Sequence, residues 1–342
     1  MRSTFRNRIE IEDDCPSFGG YNEEVEGAEE AYYVHLHETI FFFLECTNDA
    51  PFSFTFCMED GYTTVGYQAM FFDGGVDLIL GLLLEHSAQW EEASNGLWPS
   101  DVRFLRDAKG HFPLLKKLEI RVDTNAHNEI EGLTVFHGAP FLTHIVLWDI
   151  PTWQFDWSSL TIVSFQDTKE YKQILATLQK TINLVELTVN EAFEGVLDIN
   201  GSTSIRLPHI ESLSICGAKL LIVLETPALR RLKINFREDD PDSSLSEVGT
   251  MVSFLRRPEI KLDVLVVKNI LAAAIKEILP FTPDVNNLSL LRVPDVANVF
   301  NWLAGTGEQG LKFSCLNVVW GSSKDMMHVD EGLAALHDMI AC

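Results

Sequence analysis

The chain has 342 residues, 46% of them hydrophobic and 10% aromatic, enough for a sizeable core and too many for wholesale disorder. Fifty acidic against 26 basic residues give a formal charge of −24, which excludes the broad cationic footprint that nucleic-acid binding needs and favours neutral or basic partners. The six cysteines show no CxxC spacing and read as free thiols of a reducing compartment.

Residues 1–31 hold nine acids, three arginines and the run Pro16-Ser17-Phe18-Gly19-Gly20. That composition predicts an acidic leader without fixed structure. Met1 to Glu12 has no apolar signal-peptide core, and the longest apolar stretch, Val76 to Leu84, is too short to span a bilayer. A soluble intracellular protein, cytoplasmic or nuclear and away from membranes, is expected.

Residues 32–110 read as an N-terminal capping region. Tyr32 to Cys46 is apolar and aromatic, and Pro51 to Phe56 alternates as a half-buried strand does. Val76 to Trp90 is predicted as a helix, with Val76, Leu78, Ile79, Leu82 and Leu83 filling a broad buried face.

From residue 111 one pattern recurs: an apolar residue, another three positions on, and a third two beyond that. The nine copies are Leu115/Leu118/Ile120, Leu142/Ile145/Leu147, Leu160/Val163/Phe165, Leu184/Leu187/Val189 and Ile210/Leu213/Ile215, then Leu229/Leu232/Ile234, Leu262/Leu265/Val267, Val285/Leu288/Leu290 and Phe313/Leu316/Val318. Their first positions lie 27, 18, 24, 26, 19, 33, 23 and 28 residues apart. Five copies carry a proline two residues upstream: Pro113, Pro140, Pro208, Pro227 and Pro283. Proline fixes φ and lacks an N–H, so it suits the start of a strand and punctuates each coil. Helical periodicity falls between strands, over Lys169–Lys180, Ser244–Arg256, Ile270–Leu279 and Asp295–Leu303. Iterated strand and helix at a period near 25 predict an α/β fold, an irregular leucine-rich-repeat solenoid over 111–342 with a curved parallel sheet inside. Asp330 to Ile340 is expected to close it as a helix. The alternative is an ordinary α/β domain with parallel strands.

Several segments resemble the mushroom-type fungal F-box leucine-rich-repeat proteins. They are Leu82 to Trp90 followed by Phe112 to Ile120, then Gly138 to Leu147, Asn183 to Val189, Leu207 to Leu213, and Phe43 to Cys46 leading into Pro51 to Phe54. The resemblance covers about residues 35–320, order included. It implies the substrate receptor of a cullin-type ubiquitin ligase, whose F-box grips a Skp-type adaptor while the repeats hold the protein to be ubiquitinated. The nearest F-box candidate, Leu36-His37-Glu38-Thr39-Ile40-Phe41, lacks the Leu-Pro start and runs straight into the Phe52/Phe54/Phe56 strand. The F-box itself is therefore expected to be missing, and adaptor binding is not carried over.

Other motifs yield little chemistry. Gly305 to Gly310 satisfies GxGxxG, but a helix precedes and a strand follows, the inverse of the order a dinucleotide site requires. His35 and His37 would share one face of a strand, without a third ligand at metal-site spacing. Asp239-Asp240-Pro241-Asp242 lacks the glycine and distal glutamate of a calcium loop. No GxSxG elbow occurs, and Cys216 and Cys315 sit at outward strand positions without an evident His partner. No catalytic residue, cofactor or metal is expected.

The leading expectation is a non-enzymatic protein-recognition scaffold. An α/β enzyme with an unrecognised active site stays open beside it, as does a degenerate receptor without a working partner. For the scaffold, the inner face of the sheet would bind a protein partner through Lys117, Glu119, Arg121, His144, Trp148, Gln166, Glu186, Asn190, Arg231 and Lys233. Val146, Ile162, Ser164, Thr188, Ser212, Ser214, Cys216 and Asn235 lie on the same face. Trp and Arg anchor interfaces more often than other residues, which centres the expected surface on Trp148.

Overall fold

The computed structural model describes residues 8–12, 23–47, 49–57, 73–97, 105, 111–122, 134–148, 154–166, 171–190, 204–236, 241–294, 296–305 and 314–320. The chain divides into two compact units, Met1–Leu160 and Thr161–Cys342.

In the first unit, β1 (Arg8–Glu12), β2 (Phe52–Cys57), β3 (Trp90–Leu97), β4 (Lys117–Val122) and β5 (His144–Trp148) pair in chain order, all parallel. Two helices, α1 (Glu23–Thr47) and α2 (Asp73–Glu85), pack on each other. Phe52, Phe54 and Phe56 are buried on alternate positions, as their spacing predicted.

An aromatic chain runs through this core beneath successive strands. Phe54 meets Trp90 edge-on at 4.7 Å between ring centroids, Trp90 meets Phe112 at 5.2 Å, and Phe112 meets Phe136 at 5.0 Å. Phe155 stacks on Phe136 at 6.1 Å and meets Trp157 at 5.3 Å. Rings at these separations add to their area burial. The Trp90 indole N–H donates to the Leu83 carbonyl at 2.9 Å, so its one polar atom is satisfied inside the core.

Three expectations for this unit need correction. Part of the leader expected to lack fixed structure is ordered: Arg8–Glu12 forms a strand that places Ile9 opposite Phe54 and Ile11 opposite Phe56, and residues 23–31 are the start of α1. The segment containing His35 and His37 is helical, so residues two apart diverge by about 200° and cannot share a face. The helix expected to reach Trp90 ends at Glu85, and Leu78, expected on its buried face, is exposed while Ile79, Leu82 and Leu83 are buried; a 3-10 turn over Ser87–Gln89 follows, and Trp90 opens β3.

In the second unit, β6 (Ile162–Gln166), β7 (Glu186–Val189), β9 (Ser212–Cys216), β11 (Arg231–Asn235), β12 (Val264–Lys268), β13 (Asn287–Val293) and β14 (Cys315–Trp320) form parallel neighbours in that order. A short parallel pair, β8 (Ile205–Arg206) with β10 (Leu224–Glu225), stands apart. The helices are α3 (Tyr171–Leu178), α4 (Pro241–Leu255), α5 (Ala272–Ile278) and α6 (Val296–Gly305); α4 packs on α5, and α5 on α6. All four fall within the stretches whose periodicity predicted helices, give or take three residues. The expected closing helix at 330–340 lies outside the described residues.

The repeat register is regular. Val163, Leu187, Leu213, Leu232, Leu265, Leu288 and Leu316 are direct partners across the strands, and the residues two positions on form a second row. The first eight copies are buried at all three positions. On the edge strand β14, Leu316 and Val318 are only half-buried, and Phe313 lies outside the described residues.

Two backbone devices repeat with the strands. Leu115, Leu142, Ile210, Leu229 and Val285 donate their N–H three residues back, to Phe112, Ala139, Leu207, Thr226 and Thr282, at 3.1 to 3.4 Å. Each proline therefore sits second in a four-residue turn, where its fixed φ is favoured and its missing N–H costs nothing. The prolines sit in the turns and do not open a strand. The carbonyl of the residue before each strand then accepts two amides from the start of the following strand: Glu211 from Arg230 and Arg231, Arg230 from Asp263 and Val264, Asp263 from Asn286 and Asn287. Lys116, Thr161, Val185 and Asn286 do the same.

Gly217 follows β9 with φ +72°, and a Cβ there would lie 2.9 Å from the Glu247 carboxylate. Both facts restrict the position to glycine. Asn269 follows β12 with φ 58° and ties it to the end of β11, donating to Asn235 Oδ1 at 2.9 Å and to the Phe236 carbonyl at 3.1 Å.

Candidate protein-recognition faces

Because strand side chains alternate, burying the repeat leucines forces the residues between them onto the opposite face. In the first unit this brings together five of the expected residues. Lys117 lies opposite His144, Glu119 opposite Val146, and Arg121 opposite Trp148. Arg121 is exposed, while Lys117, Glu119, His144 and Trp148 are half-buried.

These side chains are coupled. The Arg121 guanidinium lies 4.9 Å from the Trp148 ring centroid, and the Trp148 indole N–H reaches Glu119 Oε1 at 3.4 Å, a weak hydrogen bond. The indole is thus held from its face and its edge, with a carboxylate and a guanidinium on one side of it. Strand β3 extends the patch, placing Glu92, Ser94 and Gly96 opposite Lys117, Glu119 and Arg121. Sequence reasoning missed these three because Trp90 was read as the end of a helix and no strand was expected after it. At the strand start Lys116 pairs with Glu91 at 2.6 Å, an exposed bridge of little energetic weight.

The second unit carries the other five. Gln166 and Asn190 are tied side chain to side chain, Asn190 Nδ2 donating to Gln166 Oε1, and Gln166 Nε2 donating to the buried Ser164 hydroxyl at 2.6 Å. Glu186 is exposed on β7 and aligns with Ser212 of β9, which aligns with Arg231 of β11. Arg231 and Lys233 are both exposed. Lys268, opposite Asn235, joins them. It was legible as the residue after Val267 in the seventh repeat, the position that Asn235 fills in the sixth.

Among the described residues Cys46, Cys216 and Cys315 form no disulfide, and no group of three His, Cys, Asp or Glu could hold a metal ion. Gly305 ends α6, and the rest of the GxGxxG run lies outside the described residues, as do Asp239 and Asp240. Among the described residues no helix is long and apolar enough to cross a membrane. No family model matches the chain, and no curated protein matches it.

Proposed function

We propose that the parallel strands are coils of a leucine-rich-repeat solenoid, and that the chain is a non-enzymatic scaffold that recognises a protein through the exposed sheet face. The observation that carries this reading is the Glu119–Trp148–Arg121 cluster on β4 and β5. An aromatic fixed by its neighbours loses little freedom when a partner covers it, and Trp and Arg supply a disproportionate share of interface energy. The regular burial of the repeat leucines supports the solenoid, because each coil completes its core only against its neighbours. The role that fits is the substrate-holding half of an F-box-like receptor, acting without a cofactor.

Affinity capture followed by titration of the purified partner tests this. The partner should bind the wild-type chain and lose affinity with Trp148→Ala and Arg121→Ala, at unchanged circular dichroism. A partner that binds both variants as well as wild type would sink the assignment of this face. Stoichiometric binding of a Skp-type adaptor would overturn the reading that the F-box is missing.

A further inference from the structure

The cations of the second unit are arranged as a row. Arg231 and Lys233 project from β11 two residues apart, and Lys268 stands on β12 opposite Asn235, one further step along the same direction. Alternate residues of a strand are about 6.7 Å apart and neighbouring strands about 4.8 Å apart. The three charges therefore span about 13 Å along the strands and converge on no single point. Among the described residues none of the three takes part in an ion pair, and the carboxylate on the outward strand rows between β7 and β13 is Glu186, two strands from Arg231. Flanking positions are small or apolar: Ser212 and Ser214 on one side, Val264 and Val266 on the other.

We propose that this row binds an extended acidic segment of a protein partner, with carboxylates at alternate positions lying along β11. Alternate side chains of an extended peptide have the same repeat as the cations, so successive carboxylates meet Arg231, Lys233 and Lys268 in turn. The two valines receive the methylene stems, and the serines donate hydrogen bonds to remaining carboxylate oxygens. A single phosphate or sulfate fits the row poorly, because it engages one cation at a time. The chain's −24 charge opposes an acidic ligand only at long range. Screening confines interactions to about 8 Å at physiological salt, so the adjacent cations decide. This inference rests on the recognition reading above and names the chemistry of what the second unit recognises.

Fluorescence anisotropy at about 150 mM salt tests it. The probe is a labelled nine-residue peptide with glutamates at positions 3, 5 and 7 and serines elsewhere. Controls are an isomer with the three glutamates consecutive, the lysine analogue, and a ten-nucleotide oligothymidylate. The alternating peptide should bind several-fold more tightly than the consecutive isomer. Arg231→Gln, Lys233→Gln and Lys268→Gln combined should weaken it by about tenfold or more, since close opposite charges supply the affinity. The neutral substitutions are exposed or half-buried, and an unchanged melting temperature confirms that the variant is folded. Undetectable binding, equal affinity for the two isomers, indifference to the triple substitution, or tighter binding of the lysine peptide or the oligonucleotide would each overturn the proposal. If the peptide fails while Trp148→Ala still abolishes capture of a partner, only the acidic-segment assignment falls. If both fail, the recognition reading falls with it.

Discussion

The guanidinium of Arg121 rests 4.9 Å from the ring centroid of Trp148, its direct partner across β4 and β5. Parallel pairing in this register makes the two side chains neighbours on the exposed face. Trp148→Ala should cost more than about 1 kcal/mol of binding to a partner on this face, measured by calorimetry. Its effect on the melting temperature should be small, because the ring lies outside the leucine core. A large loss of stability with unchanged affinity would make Trp148 a packing residue only.

Leu187 is fully buried, flanked in register by Val163 and Leu213. Leu187→Asp places an unpaired carboxylate in the core and should destabilise the second unit by several kcal/mol. The paired strands β6 and β9 should unfold with it, since Val163 and Leu213 pack in the same row. Unchanged chemical denaturation and circular dichroism would show that the strand register is wrong.

The turn prolines should act mainly on the unfolded chain. Pro208 and Pro227 occupy the second position of turns closed by Ile210 to Leu207 and Leu229 to Thr226 hydrogen bonds. Replacing either with Ala leaves those bonds in place and releases backbone freedom in the unfolded state, at a cost of about 0.4 to 1 kcal/mol each. Urea midpoints measure this. A loss of several kcal/mol would mean that the prolines shape the folded state.

Asn95 is buried in β3 between Phe56 and Ile120, and among the described residues neither its amide nitrogen nor its oxygen has a hydrogen-bond partner. An unsatisfied buried polar group costs about 1 to 3 kcal/mol. Asn95→Leu should therefore raise the melting temperature, read by calorimetry. A decrease would show that the amide makes a bond of value in solution.

The elements legible in the sequence were those whose burial is purely apolar. Leu213 and Ile215, or Leu265 and Val267, advertise an inward face by alternation alone, and their strands lie where that pattern puts them. Strand β3 hid because Ala93 and the polar Asn95 take its inward positions, leaving no alternation to detect. Helix α1 hid for the opposite reason: Tyr33, Ile40 and Leu44 are buried, yet Phe41 and Phe42 are exposed, Phe42 at 71%. Apolar residues all around a helix blur its period. The strand-face positions of the ten expected residues followed directly from the repeat register, whereas the coupling of Trp148 to Glu119 and Arg121 depends on rotamers that spacing cannot specify.

The doubly used carbonyl bears on how such a chain can diversify. Adjacent strands share a clasp at their start, from the turn to the carbonyl of Lys116, Glu211 or Arg230 and the two amides it receives. The path between one such clasp and the next is not counted by any of these bonds. First positions 19 residues apart (Ile210 to Leu229) and 33 apart (Leu229 to Leu262) are consequently equally compatible with one sheet register. Insertions and deletions can accumulate in the intervening segments while the strand face stays aligned, so this architecture lets loop length and surface residues change independently of each other.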